Sequence, residues 1–305
     1  MIIPKKAAET MSMLGIEKIH LFTFGGGNFN YRRASRRLGA QGKKTQLFSS
    51  VTNFTDRDLE KFIPNFNERH KDFIRSNKKG FGYWLWKPYL INYALEKIEP
   101  NEILVYVDSG AEFNLESKPA IVRWNEYLRF VDKHHSLAFQ LESRSDLDVN
   151  PQEICYSKKY LIDFLKPTNM SLTSNQILAG SFFLKKTEKN IQFIKRWIHV
   201  STSNNYKYLN DFLSEKENRY FVAHRNDQSI FSLLYKHNGM FCIPDETDAR
   251  NNLWTRNDWP IWHIRNRSGI SRGPMKTNDL FDRLFNLFRV LSLHLSQYLR
   301  KKLKL

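Results

Sequence analysis

Ile103-Leu-Val-Tyr-Val-Asp-Ser-Gly-Ala-Glu112 decides how this chain is read. Its first five residues are aliphatic, β-branched or aromatic, with no polar alternation. Such a run suits a strand buried on both faces of a sheet. The run stops at Asp108. Ser109 and Gly110 follow, and glycine can take backbone angles that other residues avoid. The result is a carboxylate at the carboxyl end of a central strand, the end at which open α/β sheets bind ligands. Glu112, four residues on, can turn back toward the same spot. Two acidic groups there suit a divalent cation, which in turn can hold phosphate oxygens. Taken alone, Asp108 fits the start of a turn equally well.

On the amino-terminal side, Ile19 to Phe24 reads as a first strand, ended by Gly25-Gly26-Gly27, with a helix from Asn30 to Leu38. A strand, a glycine turn and a helix is how nucleotide sites begin in α/β folds. No G-x-G-x-x-G and no Walker lysine accompany it. The helix carries Arg32, Arg33, Arg36 and Arg37, a run that ordinarily makes a solvated face. A second strand is expected around Gln46 to Val51. Thr55 and Asp58 suit the capped start of a helix reaching about Arg75. In Gly80-Phe-Gly-Tyr-Trp-Leu-Trp-Lys-Pro88, the proline fits the first turn of a helix that runs on through Leu95 to Ile98. The aromatics there serve either as a plug under the sheet or, with Lys87 on a phosphate, as a stacking surface for a base or sugar.

On the carboxyl-terminal side, a helix is expected over Lys118 to Asp132 and a short strand over Leu137 to Leu141. Ser143 to Pro151 is polar and reads as a surface loop. Asn175 to Leu184 reads as a buried strand whose middle, Ala179-Gly180-Ser181, is small enough for close approach of a ligand. Thr187 caps a helix through Trp197. Asp227 falls at a helix start, where a carboxylate can cap free amides, and Gln228 follows it. Met240 to Ile243 reads as a late strand. Trp259 to Arg267 then gathers Trp262, His263, Arg265, Asn266 and Arg267, side chains that bind phosphate, metal or sugar.

The 305 residues are enough for one large α/β domain. A net charge of +17 predicts an anionic partner: nucleic acid, an anionic membrane or a phosphorylated substrate. Cys155 and Cys242 form neither a disulfide framework nor a metal spacing, so a reducing compartment is expected. The first residues lack a signal-peptide core, and no stretch approaches the ~18 apolar residues of a membrane span. The segment from Asn278 differs in kind. Leu280, Leu284, Leu287, Leu291 and Leu295 recur at helical spacing, and from Lys276 on seven Lys and Arg face two Asp. A basic amphipathic helix lying on an anionic membrane is expected there, the alternative being a helix docked on the core. The division is then a catalytic domain over 1–275 and this helix over 276–305.

As an ordered set, these pieces resemble a glycosyltransferase of the GT-A fold. They are the glycine turn after the first strand, Tyr106-x-Asp108-x-Gly110, Leu178-Ala-Gly-Ser-Phe-Phe183, Asp227-Gln228 and Trp262-His263. The likeness is to bacterial polysaccharide and lipopolysaccharide transferases and, more distantly, to retaining glycogenin-like galactosyltransferases. It covers Ile19 to Arg267. It implies an α/β, Rossmann-like mixed sheet flanked by helices, with a nucleotide-sugar donor and a glycan or lipid-linked glycan acceptor. It implies Mn²⁺ or Mg²⁺ held by Asp108, Glu112 and His263, although the second aspartate of the family's Asp-x-Asp motif is absent. Asp227 and Gln228 would act at the donor sugar, with retention. Phe24, Gly25, Tyr83, Trp84, Lys87, Asp108, Gly110, Ala179, Gly180 and Arg265 would bind the donor. A cytoplasmic enzyme on the inner face of the membrane is expected. Two other readings compete. One is an inactive relative that only binds glycan or membrane. The other is a basic nucleic-acid-binding protein, against which stand the lack of a zinc finger, an RNP-like motif or a repeated basic stripe.

Overall fold

The strands are β1 Ile19–Phe24, β2 Ser50–Phe54, β3 Ile103–Val107, β4 Ala111–Phe113, β5 Ser136–Gln140, β6 Ile177–Lys185, β7 Cys242–Pro244 and β8 Ile261–His263. This computed structural model describes residues 9–143, 150–214, 216–249 and 256–271. The helix expected from Asn278 and most of the polar loop after Ser143 lie outside them.

Six strands form one sheet in the order β2-β1-β3-β6-β5-β7. All run the same way except β6, which is antiparallel to both neighbours. Every residue of β3 is buried, as the unbroken apolar run of its sequence requires. Because β6 runs backwards, its middle lies beside the last residue of β3: Val107 pairs with Ser181, and the Asp108 amide donates to the Gly180 carbonyl at 2.7 Å. β4 and β8 make a separate antiparallel ladder in which Ala111 faces His263.

The longer helices are α1 Phe29–Thr45, α2 Phe66–Ser76, α3 Trp86–Lys97, α4 Lys118–His134, α5 Glu188–Tyr206 and α6 Asp227–His237. The period of two along β3 sorts its side chains between two cores. Leu104 and Tyr106 pack with Leu90 and Leu95 of α3, Trp197 of α5 and Phe231 of α6. Ile103, Val105 and Val107 pack with Leu38 of α1 and Trp124 and Leu128 of α4. The molecule is thus a mixed α/β, Rossmann-like fold with helices on both faces. Among the described residues, no helix is long and apolar enough to cross a membrane.

Several boundaries differ from the sequence reading. α1 runs seven residues past Leu38 to Thr45, where Gln46 ends it in a left-handed conformation (φ 56°). That displaces the second strand to Ser50–Phe54. The helix expected from Asp58 to Arg75 is two: a short turn, Leu59–Phe62, and then α2. Pro64 explains the break, since it denies the residue before it the helical region; Ile63 is extended (φ −120°, ψ 93°). Thr55 and Asp58 do join, the Asp58 carboxylate accepting the Thr55 amide and hydroxyl at 2.8 Å.

Candidate functional site

A cleft of about 500 Å³ opens at the carboxyl end of β3. Asp108, Lys87, Ala179, Gly180, Asp227, Gln228, Trp84 and Arg265 all line it. The sequence singled out each of these, from five separate stretches. The topology that joins them is the reversed β6, which brings Ala179 and Gly180 against the end of β3, and the packing of α6 on β6.

Lys87 sits at the centre. It is 2% exposed, and its ammonium lies 2.9 Å from Asp227 Oδ2 and 3.4 Å from Asp108 Oδ1. It also donates to the Ala179 carbonyl at 3.1 Å. Burial works to lower its pKa, but the two carboxylates outweigh this and raise it, so the side chain is a cation. The sequence reading put Lys87 near a phosphate; in the cleft floor its ammonium bridges two aspartates. Burial pushes the Asp227 carboxyl up to about 6, against the pull of Lys87. The Gln228 amide donates to the Arg225 carbonyl at 3.0 Å, and the helix start has no side-chain cap, so Asp227 does not serve as the expected cap. Asp108 accepts a short hydrogen bond from the Tyr106 hydroxyl. Burial first, and then the Asp108 charge, hold that hydroxyl well above the ordinary tyrosine range, so Tyr106 is a donor only.

Gln228 is held from behind. Its side-chain amide donates to Gln176 Oε1 at 3.1 Å, and Arg225 donates to the same atom at 3.2 Å. Gln176 is fully buried and is itself anchored on Glu153 at 3.1 Å. The Arg225 guanidinium lies 3.5 Å over the Tyr156 ring. Neither Gln176 nor Arg225 was picked out as a site residue; nothing local marks a residue that acts through a partner some fifty positions away.

The backbone before α3 is unusual. Gly80, Phe81, Gly82, Tyr83 and Trp84 all have positive φ, between 52° and 80°. Five consecutive left-handed residues form a reversed turn, costly at each of the three non-glycine positions. The glycines permit it: a Cβ on Gly80 would meet the Trp84 ring at 2.4 Å. The turn delivers Trp84 to the cleft and Trp86 to the core, where Trp86 stacks on Phe24 with centroids 3.7 Å apart.

Four expected donor contacts are not in the cleft lining. Phe24 is buried under Trp86. Gly25 serves packing, because a Cβ there would lie 2.1 Å from the Tyr31 carbonyl of α1. Tyr83 is buried and packs against Phe73. Gly110 has no left-handed φ; its carbonyl accepts the Asn266 amide at 2.8 Å.

The three expected metal ligands are not brought together. Asp108 and His263 both come close to Gly180: a Cβ there would lie 3.1 Å from Asp108 Oδ2 and 3.0 Å from His263 Cε1. His263 is also hydrogen-bonded to Ser181 at 2.6 Å. Glu112, however, is 1% exposed on β4 and is held by Asn266, by Ser271 at 2.9 Å and by Arg37 at 3.7 Å. Among the described residues, no group of three His, Cys, Asp or Glu side chains is placed to hold a metal. Arg37 corrects the reading of its helix as a solvated face. It is 5% exposed and donates to the carbonyls of Ser109, Ala111 and Asn266 at 2.9, 2.6 and 3.0 Å, fixing the turn that follows Asp108.

No protein-family model matches this chain, and no curated protein matches it. Among solved structures, the crystal structure of mouse xyloside xylosyltransferase 1 in its apo form is similar in part. Its TM-score is 0.40 at 10% identity, over 83% of this chain and 99% of that one.

Proposed function

We propose that this chain is a glycosyltransferase that moves a sugar from a nucleotide-sugar donor to a glycan or lipid-linked glycan acceptor, with a GT-A-like organisation. The observation that carries the reading is the Asp108–Lys87–Asp227 bridge at the floor of the cleft, with Gln228 at the start of α6. Breaking a sugar–diphosphate bond leaves negative charge on the diphosphate, and fixed cations stabilise it. Arg225, Arg265 and Lys87 line the cleft. Because Glu112 is committed elsewhere, no step here is routed through a metal. The buried Asp227 and the anchored amide of Gln228 suit a sugar reacting with retention, where a strong base beside the anomeric carbon is not needed. Hexosyl transfer in surface polysaccharide synthesis, on the inner face of a membrane, completes the proposal. The residues from Asn278 on would supply the contact with anionic lipid. A chain ending at Met275 should then lose binding to anionic liposomes and stay folded.

The deciding experiment is a thermal-shift panel of nucleoside diphosphates and nucleotide sugars, run with Mn²⁺ and with chelator. A ligand that binds only the folded state raises the midpoint. At least one sugar nucleotide should do so, and Asp108→Ala should abolish the shift while the fold persists. No shift with any ligand, or an unchanged shift in Asp108→Ala, overturns the proposal.

A further inference from the structure

Beside the donor cleft, the segment that follows α5 is pinned by two buried polar side chains that the chemistry above does not use. Lys158 is fully buried, and its ammonium donates to the Asn210 carbonyl at 2.6 Å, the Asn210 side chain at 3.0 Å and the Phe212 carbonyl at 3.1 Å. Asn226 is 1% exposed, and its amide donates to the Leu209 carbonyl at 2.8 Å and to Asp211 Oδ1 at 2.9 Å. It stands at φ 47°, ψ −114°, strained for a residue with a side chain, immediately before Asp227. A buried cation without a carboxylate among these hydrogen-bond partners and a strained buried amide are costly ways to hold a surface loop. Both converge on the backbone around one residue, Asp211.

Asp211 is the part of this arrangement left accessible. Its side chain is 45% exposed, and it reaches Lys79, 51% exposed, at 3.3 Å. Lys79 and Asn226 line the cleft. The carboxylate therefore stands at the rim, on the side of α6 and the reversed turn. Burial acts to raise its pKa, but Asn226, Lys79 and the Tyr83 hydroxyl outweigh this and lower it, so it remains an acceptor. An exposed ion pair of this kind is weak and readily exchanged for other partners. A carboxylate held rigidly with a neighbouring ammonium can accept from one hydroxyl of a sugar while the ammonium donates to the next oxygen. Exposed Phe212 and Leu213 continue the surface outward, which suits an aromatic or alkyl aglycone.

We propose that Asp211, with Lys79, forms the acceptor subsite and binds vicinal hydroxyls of the acceptor sugar; this rests on the glycosyltransferase reading above. Lys158 and Asn226 act as positioning residues. The test is saturation-transfer NMR on the full chain with a set of p-nitrophenyl hexopyranosides, in the presence of the nucleoside diphosphate that gives the largest thermal shift. At least one glycoside should show transfer to its ring protons. Asp211→Asn should reduce that signal at least fivefold and leave the nucleotide-induced thermal shift within a degree of the parent. Lys158→Met, which touches no acceptor, should reduce it as well; if that variant does not fold, Asp211→Asn and Asp211→Glu decide alone, with partial recovery in the latter. Absence of transfer from every glycoside overturns the subsite, as does a signal unchanged in Asp211→Asn. Failure of the nucleotide shift in the parent chain overturns the donor reading instead, so the two are told apart.

Discussion

At the scale of single residues, the cleft depends on one buried cation serving two carboxylates. Removing a partner from a buried ion pair costs about 3–5 kcal/mol, because the remaining charge stays desolvated. Lys87→Met should therefore destabilise the chain by about that amount in urea denaturation at pH 8. The loss should be smaller at pH 5, since Asp227, freed from Lys87, takes up a proton more readily and sheds its charge. Equal losses at both pH values would mean that Asp227 is not the group left stranded. The wild-type Asp227 makes a second prediction. Its folded-state carboxyl is raised to about 6 from 3.8, so the native chain holds this proton more tightly than the unfolded chain does. The group thus costs stability above pH 6, and that cost fades as pH falls toward 4. If the carboxylate form acts at the sugar, kcat/KM should turn down on the acid side with an apparent pKa near 6. A flat profile from pH 5 to 7 would remove Asp227 from the chemistry.

At the scale of elements, the reversed turn of Gly80 to Trp84 is the part least tolerant of change. An alanine Cβ at Gly80 must displace the Trp84 indole, and at this φ of 59° alanine is itself strained. Gly80→Ala should lower stability by about 1–3 kcal/mol and weaken nucleotide binding, because Trp84 faces the cleft. A variant that keeps both would show that the turn only packs. The sequence announced this segment by its glycines and aromatics but gave no sign of its handedness, which is a property of five φ angles together. β1, β3 and β6 were legible because central strands bury both faces and read as apolar runs. β2 is an edge strand, alternately exposed, and its position was misread. Asp108, Asp227 and Gln228 stood out because each follows an interpretable local signal. Glu112 misled for the opposite reason. Its spacing from Asp108 suggested a return to the same point, whereas β4 carries it to Arg37 and to Asn266, the latter more than 150 positions away.

At the scale of the whole molecule, acid should act through buried histidines as well as carboxylates. His224 is held neutral, with its pKa lowered to about 3 by burial and by nearby Lys158; His70 is lowered to about 4 by burial and Arg69. Both bind protons less tightly when folded, so their contribution is complete above about pH 6.5 and is lost as pH falls below it. Relative to wild type, His224→Gln should lose stability less steeply between pH 6 and 4, by at most about 1.4 kcal/mol per pH unit. An unchanged slope would mean that His224 is already charged in the native state. The strand order has a different consequence, for biosynthesis. β3 pairs on one side with β1, already made, but its other edge must wait for β6, whose register runs from Lys185 beside Ile103 back to Ser181 beside Val107. While the intervening residues are translated, the most apolar strand of the protein offers an open edge on the ribosome, a template for wrong pairing. Nascent chains stalled before Lys185 emerges should accordingly be protease-sensitive and retained by chaperones, and protection should appear only once that residue has cleared the exit tunnel.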